Sequence, residues 1–148
     1  MYRKILIAYN GSPESQSALH ACVELNPGPQ TQIHLLVVMP PPTYVVMGEY
    51  VSEAVLNADR EELEQELNRG HTFLERAGLT VTDHFEIGEP VDSIKALVEQ
   101  LGIELVIVGH SRHKPLALRW WRGSVDAMLV EKVRCSLLVA APDVTQSM

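Results

Sequence analysis

The stretch that decides the fold is Lys4-Ile5-Leu6-Ile7-Ala8-Tyr9, followed at once by Asn10-Gly11-Ser12-Pro13-Glu14. A short apolar run with β-branched residues and no polar alternation is the pattern of a strand covered on both faces. Asn10-Gly11-Ser12 then ends it in a turn. Ser12 brings a hydroxyl to cap free amides, Pro13 suits the first helical position, and Glu14 faces the positive end of the helix dipole. Ala18, Ala21, Cys22 and Leu25 recur at helical spacing on one face, and Pro27-Gly28-Pro29 stops that helix.

The same alternation runs outward through the chain. Ile33 to Met39 is a second buried-strand pattern, ended by the triple proline Pro40-Pro41-Pro42. Residues 40–50 read as a mobile loop. From Val51 to Ala77 the spacing predicts a longer helix, with Leu63, Leu67, Gly70, Leu74 and Ala77 at steps of four and three. Its other face, with Glu61, Glu62, Glu64 and Glu66, reads as solvated surface. Thr80 to Ile87 alternates, with Val81, Asp83, Phe85 and Ile87 on one face, as an edge strand does. Gly88-Glu89-Pro90 turns into a helix carrying Ile94, Leu97, Val98 and Leu101, closed by Gly102. Glu104 to Gly109 is another buried strand. Ser124 to Val133 reads as a helix, Ser136 to Ala141 as a final strand, and residues 142–148 as a tail.

Five strands alternating with four helices predict a single α/β domain over residues 1–148. Its sheet is expected to be mostly parallel with helices on both faces, because parallel neighbours need right-handed crossovers. Such sheets take ligands beyond the carboxyl ends of their strands, where the winding direction reverses. The segments that matter are then Ala8 to Ser12, Val38 to Pro42 and Gly109 to Ser124.

Composition narrows the function classes. The 148 residues are 46% apolar and 21% charged, the range of one compact domain, and their net charge is -7. An acidic total has the wrong sign for gripping nucleic acid or an anionic membrane over the whole surface. No apolar run approaches the roughly 18 residues of a membrane span. Cys22 and Cys135 form no CxxC or Cys/His cluster, which argues against a disulfide framework or zinc site and fits the reducing cytoplasm. Cys22 reads as inert core and Cys135 as a weak redox candidate. His20, His34, His71 and His84 are scattered without metal-ligand spacing. There is no GxxxxGK[ST], no GxGxxG after the first strand and no GxSxG elbow, so a P-loop ATPase, a Rossmann dehydrogenase and an α/β-hydrolase are all excluded.

The segment Gly109-His110-Ser111-Arg112-His113-Lys114-Pro115-Leu116-Ala117-Leu118-Arg119-Trp120-Trp121-Arg122-Gly123-Ser124-Val125 stands apart. It holds four of the twelve Lys and Arg and none of the nineteen acids, so it is +4 while the remainder of the chain is -11. Its glycines let a backbone approach an anion, and Ser124 at a helix start offers a hydroxyl and free amides to a phosphate. An ordinary imidazole changes charge near neutral pH, so His110 and His113 are candidates to do so beside a phosphate. Equally, Ser124 caps its own helix and the arginines are solvated. One indole of Trp120-Trp121 meets a partner or a base, or both cover the end of the sheet.

Taken in order along one short chain, Lys4 to Ala8 with Asn10-Gly11-Ser12-Pro13-Glu14-Ser15, Gly88-Glu89-Pro90, Leu105 to Ser111, Arg122-Gly123-Ser124-Val125 and Cys135 to Ala140 resemble the universal stress proteins of the UspA type over essentially the whole length. The resemblance implies five parallel strands flanked by four helices, and a homodimer joined along the last strand, residues 136–141. One branch of that family binds ATP through a loop of pattern G-x2-G-x9-G-[ST]. By resemblance Gly109 and Gly123-Ser124 match its ends, Ala8, Tyr9 and Asn10 the adenine and ribose contacts, and Val38 a second adenine contact. The implied nucleotide site is therefore Ala8, Tyr9, Asn10, Val38, Gly109, Arg112, His113, Gly123, Ser124 and Val125, for ATP, AMP or another adenine nucleotide that carries its own divalent cation.

The sequence departs from that pattern at three points. Arg112 replaces the second glycine, ten residues instead of nine separate it from Gly123, and Asn10 stands where an aspartate is common. An arginine there either fills the pocket or grips phosphate bidentately. The expectation is a cytoplasmic stress-response protein with no catalytic residue and at most slow ATP hydrolysis. The alternative is a nucleotide-independent dimeric interaction protein whose pocket is closed by Arg112 and the tryptophan loop.

Overall fold

The computed structural model describes residues 2–41, 53–109 and 125–141. The elements run β1 (Lys4–Ala8), α1 (Pro13–Glu24), β2 (Gln32–Met39), α2 (Glu53–Arg76), β3 (Thr80–Ile87), α3 (Pro90–Leu101), β4 (Leu105–Gly109), α4 (Val125–Lys132) and β5 (Ser136–Ala140). One sheet forms in the order β3-β2-β1-β4-β5. Every neighbouring pair is parallel. From β1 the chain winds outward to β2 and β3, then crosses back to β4 and β5, so the winding reverses between β1 and β4.

Sequence neighbours on β1 sort onto opposite faces, as the pleat requires. Ile5, Ile7 and Tyr9 join Ile33, Leu35, Val37, Leu105 and Ile107 beneath α1 and α2, with Ala18, Leu19, Cys22, Leu67 and Leu74. Leu6 and Ala8 join Leu36, Val38, Val106 and Val108 beneath α3 and α4, with Ile94, Leu97, Val98 and Leu129. Leu6 and Ile7 are both fully buried, which settles that the sheet is covered on both sides. Each such side chain stabilises the fold by roughly 1.5–3 kcal/mol relative to exposure.

Local signals set the helix ends. Ser12 is the N-cap of α1, its Oγ accepting from the Ser15 N–H at 3.1 Å, with Pro13 behind it. Glu89 caps α3 by accepting from the Asp92 N–H at 2.9 Å. Gly102 closes α3 in the left-handed region, φ 70°, which a side chain would disfavour.

Some expected faces come out differently. Leu25 is the C-cap of α1 and 43% exposed, because the left-handed Asn26 turns the chain off the helix before Pro27. Ala77 lies past the end of α2 and is exposed. On edge strand β3, Val81 and Phe85 reach the core as expected, but Ile87 is 55% exposed, since an edge strand has a neighbour on one side only. Glu61, Glu62 and Glu64 of α2 are exposed as expected, whereas Glu66 turns inward. Cys22 is buried and its thiol is pushed up to about 12 by burial. Burial likewise raises the Cys135 thiol, away from the reactive thiolate. The expected loop at 40–50, beyond its first two residues, and the tail at 142–148 lie outside the described residues.

His71 on α2 and Asp83 on β3 tie helix to strand, Nδ1 to Oδ1 at 2.7 Å, with Glu75 at 3.0 Å from Nε2. The hydrogen bond to Asp83, then that to Glu75, hold the imidazolium against a smaller cost of burial, so the His71 pKa is raised. A raised histidine contributes stability in full below its unfolded value and loses it as pH rises through the folded value. With carboxylates this exposed the expected contribution is about 0.5–1 kcal/mol. Urea unfolding should show His71→Gln less stable than the parent at pH 6 and equal to it at pH 9; an equal deficit at both would refute the charged bridge. On the same side of the sheet, at the end of β4, a Cβ on Gly109 would overlap the backbone carbonyl of Glu14, because β4 closes directly onto the first turn of α1. Gly109→Ala is expected to cost about 3 kcal/mol or more. Gly28→Ala, with open space around it, should stay within about 0.5 kcal/mol in the same measurement.

Candidate functional site

The winding reverses between β1 and β4, and sheets of this kind take ligands beyond the carboxyl ends of their strands at such a point. Ala8, the last residue of β1, and Val38, one residue before the end of β2, lie on the α3 and α4 side and are 1% and 0% exposed. Both side chains are enclosed in the core beneath α3 and α4. Tyr9 goes the other way. Its ring enters the core beneath α2, its hydroxyl lies 3.5 Å from Glu66 Oε2, and its N–H donates to the Leu36 carbonyl at 2.8 Å. Burial first, then Glu66, push the phenol up to about 12, so it stays a donor at any ordinary pH. The Tyr9 side chain is therefore turned away from the rim.

Asn10, Ser12 and Ser15 bind one another. The Asn10 side-chain oxygen accepts from the Ser12 N–H at 3.0 Å, an Asx turn, and the Asn10 N–H donates to Ser15 Oγ at 3.3 Å. Ser15 Oγ in turn donates to the Ser12 carbonyl at 3.0 Å. The turn is thus fixed before any ligand arrives. Asn10 keeps two amide hydrogens that no described residue takes up. Because Ser12 and Glu14 already answer the amides and dipole of α1, that helix end has little left for an anion. Glu14 Oε2 is buried with no hydrogen-bond partner among the described residues.

Gly11 has φ 84°, and a Cβ there would meet the Glu66 carboxylate at 2.8 Å. The backbone angle favours glycine, and a side chain there would also make Glu66 shift. Glu66, itself paired with Arg69, therefore lies beneath the turn and touches Tyr9. Read as solvated surface from its neighbours, Glu66 is the site residue the sequence misplaced. The available signal was its spacing, three residues after Leu63 and four before Gly70 on the buried stripe. Gly70 lets α2 approach, since a Cβ would stand 3.0 Å from Leu35 and 3.2 Å from Tyr9.

Of the expected nucleotide residues, Ala8, Asn10, Val38 and the backbone of Tyr9 meet at one rim with Gly109, the last residue of β4. Val125 opens α4. Arg112, His113, Gly123 and Ser124, like Trp120 and Trp121, lie outside the described residues. Among the described residues no group of three or more His, Cys, Asp or Glu is arranged to hold a metal ion. None of the described helices is long and apolar enough to cross a membrane.

Solved structures share this architecture. That of "hypothetical protein MJ0577" superposes with a TM-score of 0.81 at 24% identity, over 97% of this chain and 99% of the other. A universal stress protein in complex with cAMP superposes with a TM-score of 0.71 at 17% identity, over 96% and 99%. By sequence, the "Putative universal stress protein SH1215" of Staphylococcus haemolyticus is 29% identical over 141 residues, 93% of this chain and 84% of that one. The sequence model of the universal stress protein family matches residues 1–141. With the sheet order, the rim and the sequence match in agreement, the chain belongs to the universal stress protein family.

Proposed function

We propose that this protein binds an adenine nucleotide at the carboxyl rim of β1, β2 and β4 and acts by binding rather than by turnover. The observation that carries this reading is the fixed turn Asn10-Gly11-Ser12 facing the end of β4 across the point where the winding reverses. Ala8 and Val38 give the base an apolar floor, and the amide hydrogens of Asn10, which no described residue takes up, donate to an acceptor of the base or sugar. These features fit a nucleoside. Gly109, Arg112, His113, Gly123, Ser124 and Val125 take the phosphates, with the amides opening α4 and the charge of +4 over Gly109 to Val125 aimed at the anion. ATP brings its divalent cation with it. Proteins of this fold are known with cAMP, with AMP in Arabidopsis thaliana and with dAMP in Archaeoglobus fulgidus, which supports the choice of adenine.

The outer edge of β5, which pairs with no other strand among the described residues, and the half-buried Leu137, Leu138 and Val139 support a homodimer along that strand. Two free, shielded cysteines suit a protein working in the cytoplasm. A second reading rests on Arg112, which stands where the nucleotide-binding branch has glycine. There its side chain fills the phosphate space and the protein serves as a nucleotide-independent interaction partner.

Isothermal titration with ATP, ADP and AMP tests the first reading, and heat of binding is expected for at least one; no heat from any, with folded protein, would sink it. Gly123→Val and Ser124→Ala should each weaken binding by about tenfold, roughly 1.4 kcal/mol. Arg112→Gly separates the readings. Loss of binding marks Arg112 as a phosphate ligand, and binding that the parent lacks marks it as a plug.

A further inference from the structure

A single carboxylate, that of Glu66 on α2, lies against both sequence neighbours of Asn10. Its Oε2 stands 3.5 Å from the Tyr9 hydroxyl, and a Cβ on Gly11 would stand 2.8 Å from its Cγ, its carboxyl carbon and Oε2 alike. Arg69, three residues on along the helix, pairs with it from the surface. The Glu66 side chain is 21% exposed and that of Arg69 67%, so an exposed cation anchors a carboxylate that is itself largely enclosed. Gly70 brings α2 to within contact of Tyr9 and Leu35, so the helix that carries the acid is itself seated on β1 and β2.

Packing alone does not call for an acid at this place. Position 66 falls on the stripe that carries Leu63, Leu67 and Leu74 toward the core, where a leucine or methionine would fill the space without drawing a carboxylate partly out of water. What the acid adds is an acceptor directed at residues 9–11. Burial first, then Glu66, keep the Tyr9 phenol protonated, so its hydroxyl always has a hydrogen to give. Asn10 spends its side-chain oxygen on the Ser12 N–H and its backbone N–H on Ser15 Oγ. The direction of its two remaining amide hydrogens is therefore set by where the turn sits. Among the described residues Glu66 makes no hydrogen bond to Asn10 itself, and its influence passes through Tyr9 and Gly11.

On the reading of the rim as an adenine-nucleotide site, we propose that Glu66 is a positioning residue: from beneath the turn it holds Tyr9 and Gly11 on either side of Asn10, and so aims the Asn10 amide at an acceptor atom of the ligand. A donor fixed in advance binds better than one that the ligand must first order, because the ordering cost is subtracted from the binding free energy. Removing the carboxylate takes away the support of the turn on its α2 side. Glutamine keeps both the bulk and an oxygen for the Tyr9 hydroxyl, whereas alanine keeps neither.

Isothermal titration of the full chain with whichever of ATP, ADP and AMP the parent binds most tightly tests this. Glu66→Ala should weaken that nucleotide about tenfold, the worth of one well-placed hydrogen bond, and Glu66→Gln should stay within about twofold of the parent. A residue that acts only through Asn10 adds nothing once the Asn10 amide is gone, so Asn10→Ala and Asn10→Ala/Glu66→Ala should lose the same affinity. A role in stability alone would lower the unfolding midpoint of Glu66→Ala and leave the affinity of the folded protein unchanged. Unchanged affinity in Glu66→Ala, no rescue by glutamine, or losses that add in the double variant would overturn the proposal. If Glu66→Ala does not fold, Arg69→Ala takes its place in the same comparison: a loss seen only while Asn10 is present supports the proposal, and no loss refutes it. A parent that binds no adenine nucleotide fails the nucleotide reading and takes this proposal with it, whereas binding that Glu66→Ala leaves intact fails this proposal alone.

Discussion

β1 is hydrogen-bonded along both of its edges, to β2 and to β4, and covered on both of its faces, and every other element takes its place from that constraint. A five-residue strand with Leu6 and Ile7 fully buried back to back needs a helical layer on each side. Parallel neighbours can be reached only by crossovers, so the helices that supply those layers are also the connections. All five strands consequently point the same way, and the turn after Ala8, the chain after Met39 and the chain after Gly109 leave from one rim. The common rim is a consequence of how the core is built.

At that rim, rigidity comes from short polar contacts. Asn10, Ser12 and Ser15 satisfy one another within the turn, and Glu66 supports it from below while holding the Tyr9 hydroxyl. Glycine appears wherever backbones close on a neighbour: Gly11 over Glu66, Gly70 against Tyr9 and Leu35, and Gly109 against the first turn of α1. Gly109 thus has a packing reason to be glycine that is independent of any ligand. The net charge of -7 conceals a division of labour. Acids spread over α2 and the rest of the surface, while the segment from Gly109 to Val125 carries +4 with no acid at all.

The outer strand β3 illustrates how an edge is held by side chains as well as by its one ladder. His71 reaches it from α2 as an imidazolium beside Asp83, and His34 reaches it from β2 as a neutral ring, its Nδ1 2.9 Å from Nε2 of His84. Burial accounts for the difference. His71 sits near the surface with two carboxylates to answer its charge, whereas His34 is enclosed, with a lone imidazole and a lysine as its polar company.

Strand and helix positions, the parallel sheet, the caps at Ser12 and Gly102 and the location of the rim follow from the sequence alone. They rest on local rules, hydrophobic period and turn chemistry, which act within a few residues and leave their mark there. Tertiary structure alone decided which of two chemically plausible directions a side chain took. Tyr9, matched to a nucleoside contact, turns its ring into the core because the pleat places residue 9 on the side of Ile5 and Ile7. Glu66, one acid among several, lies under Gly11 because the stripe on α2 passes beneath the end of β1. Histidines scattered along the chain become one pair and one bridge because β2, β3 and α2 are neighbours in space. Contacts between residues fifty positions apart are set by how the layers stack, and no local pattern records them.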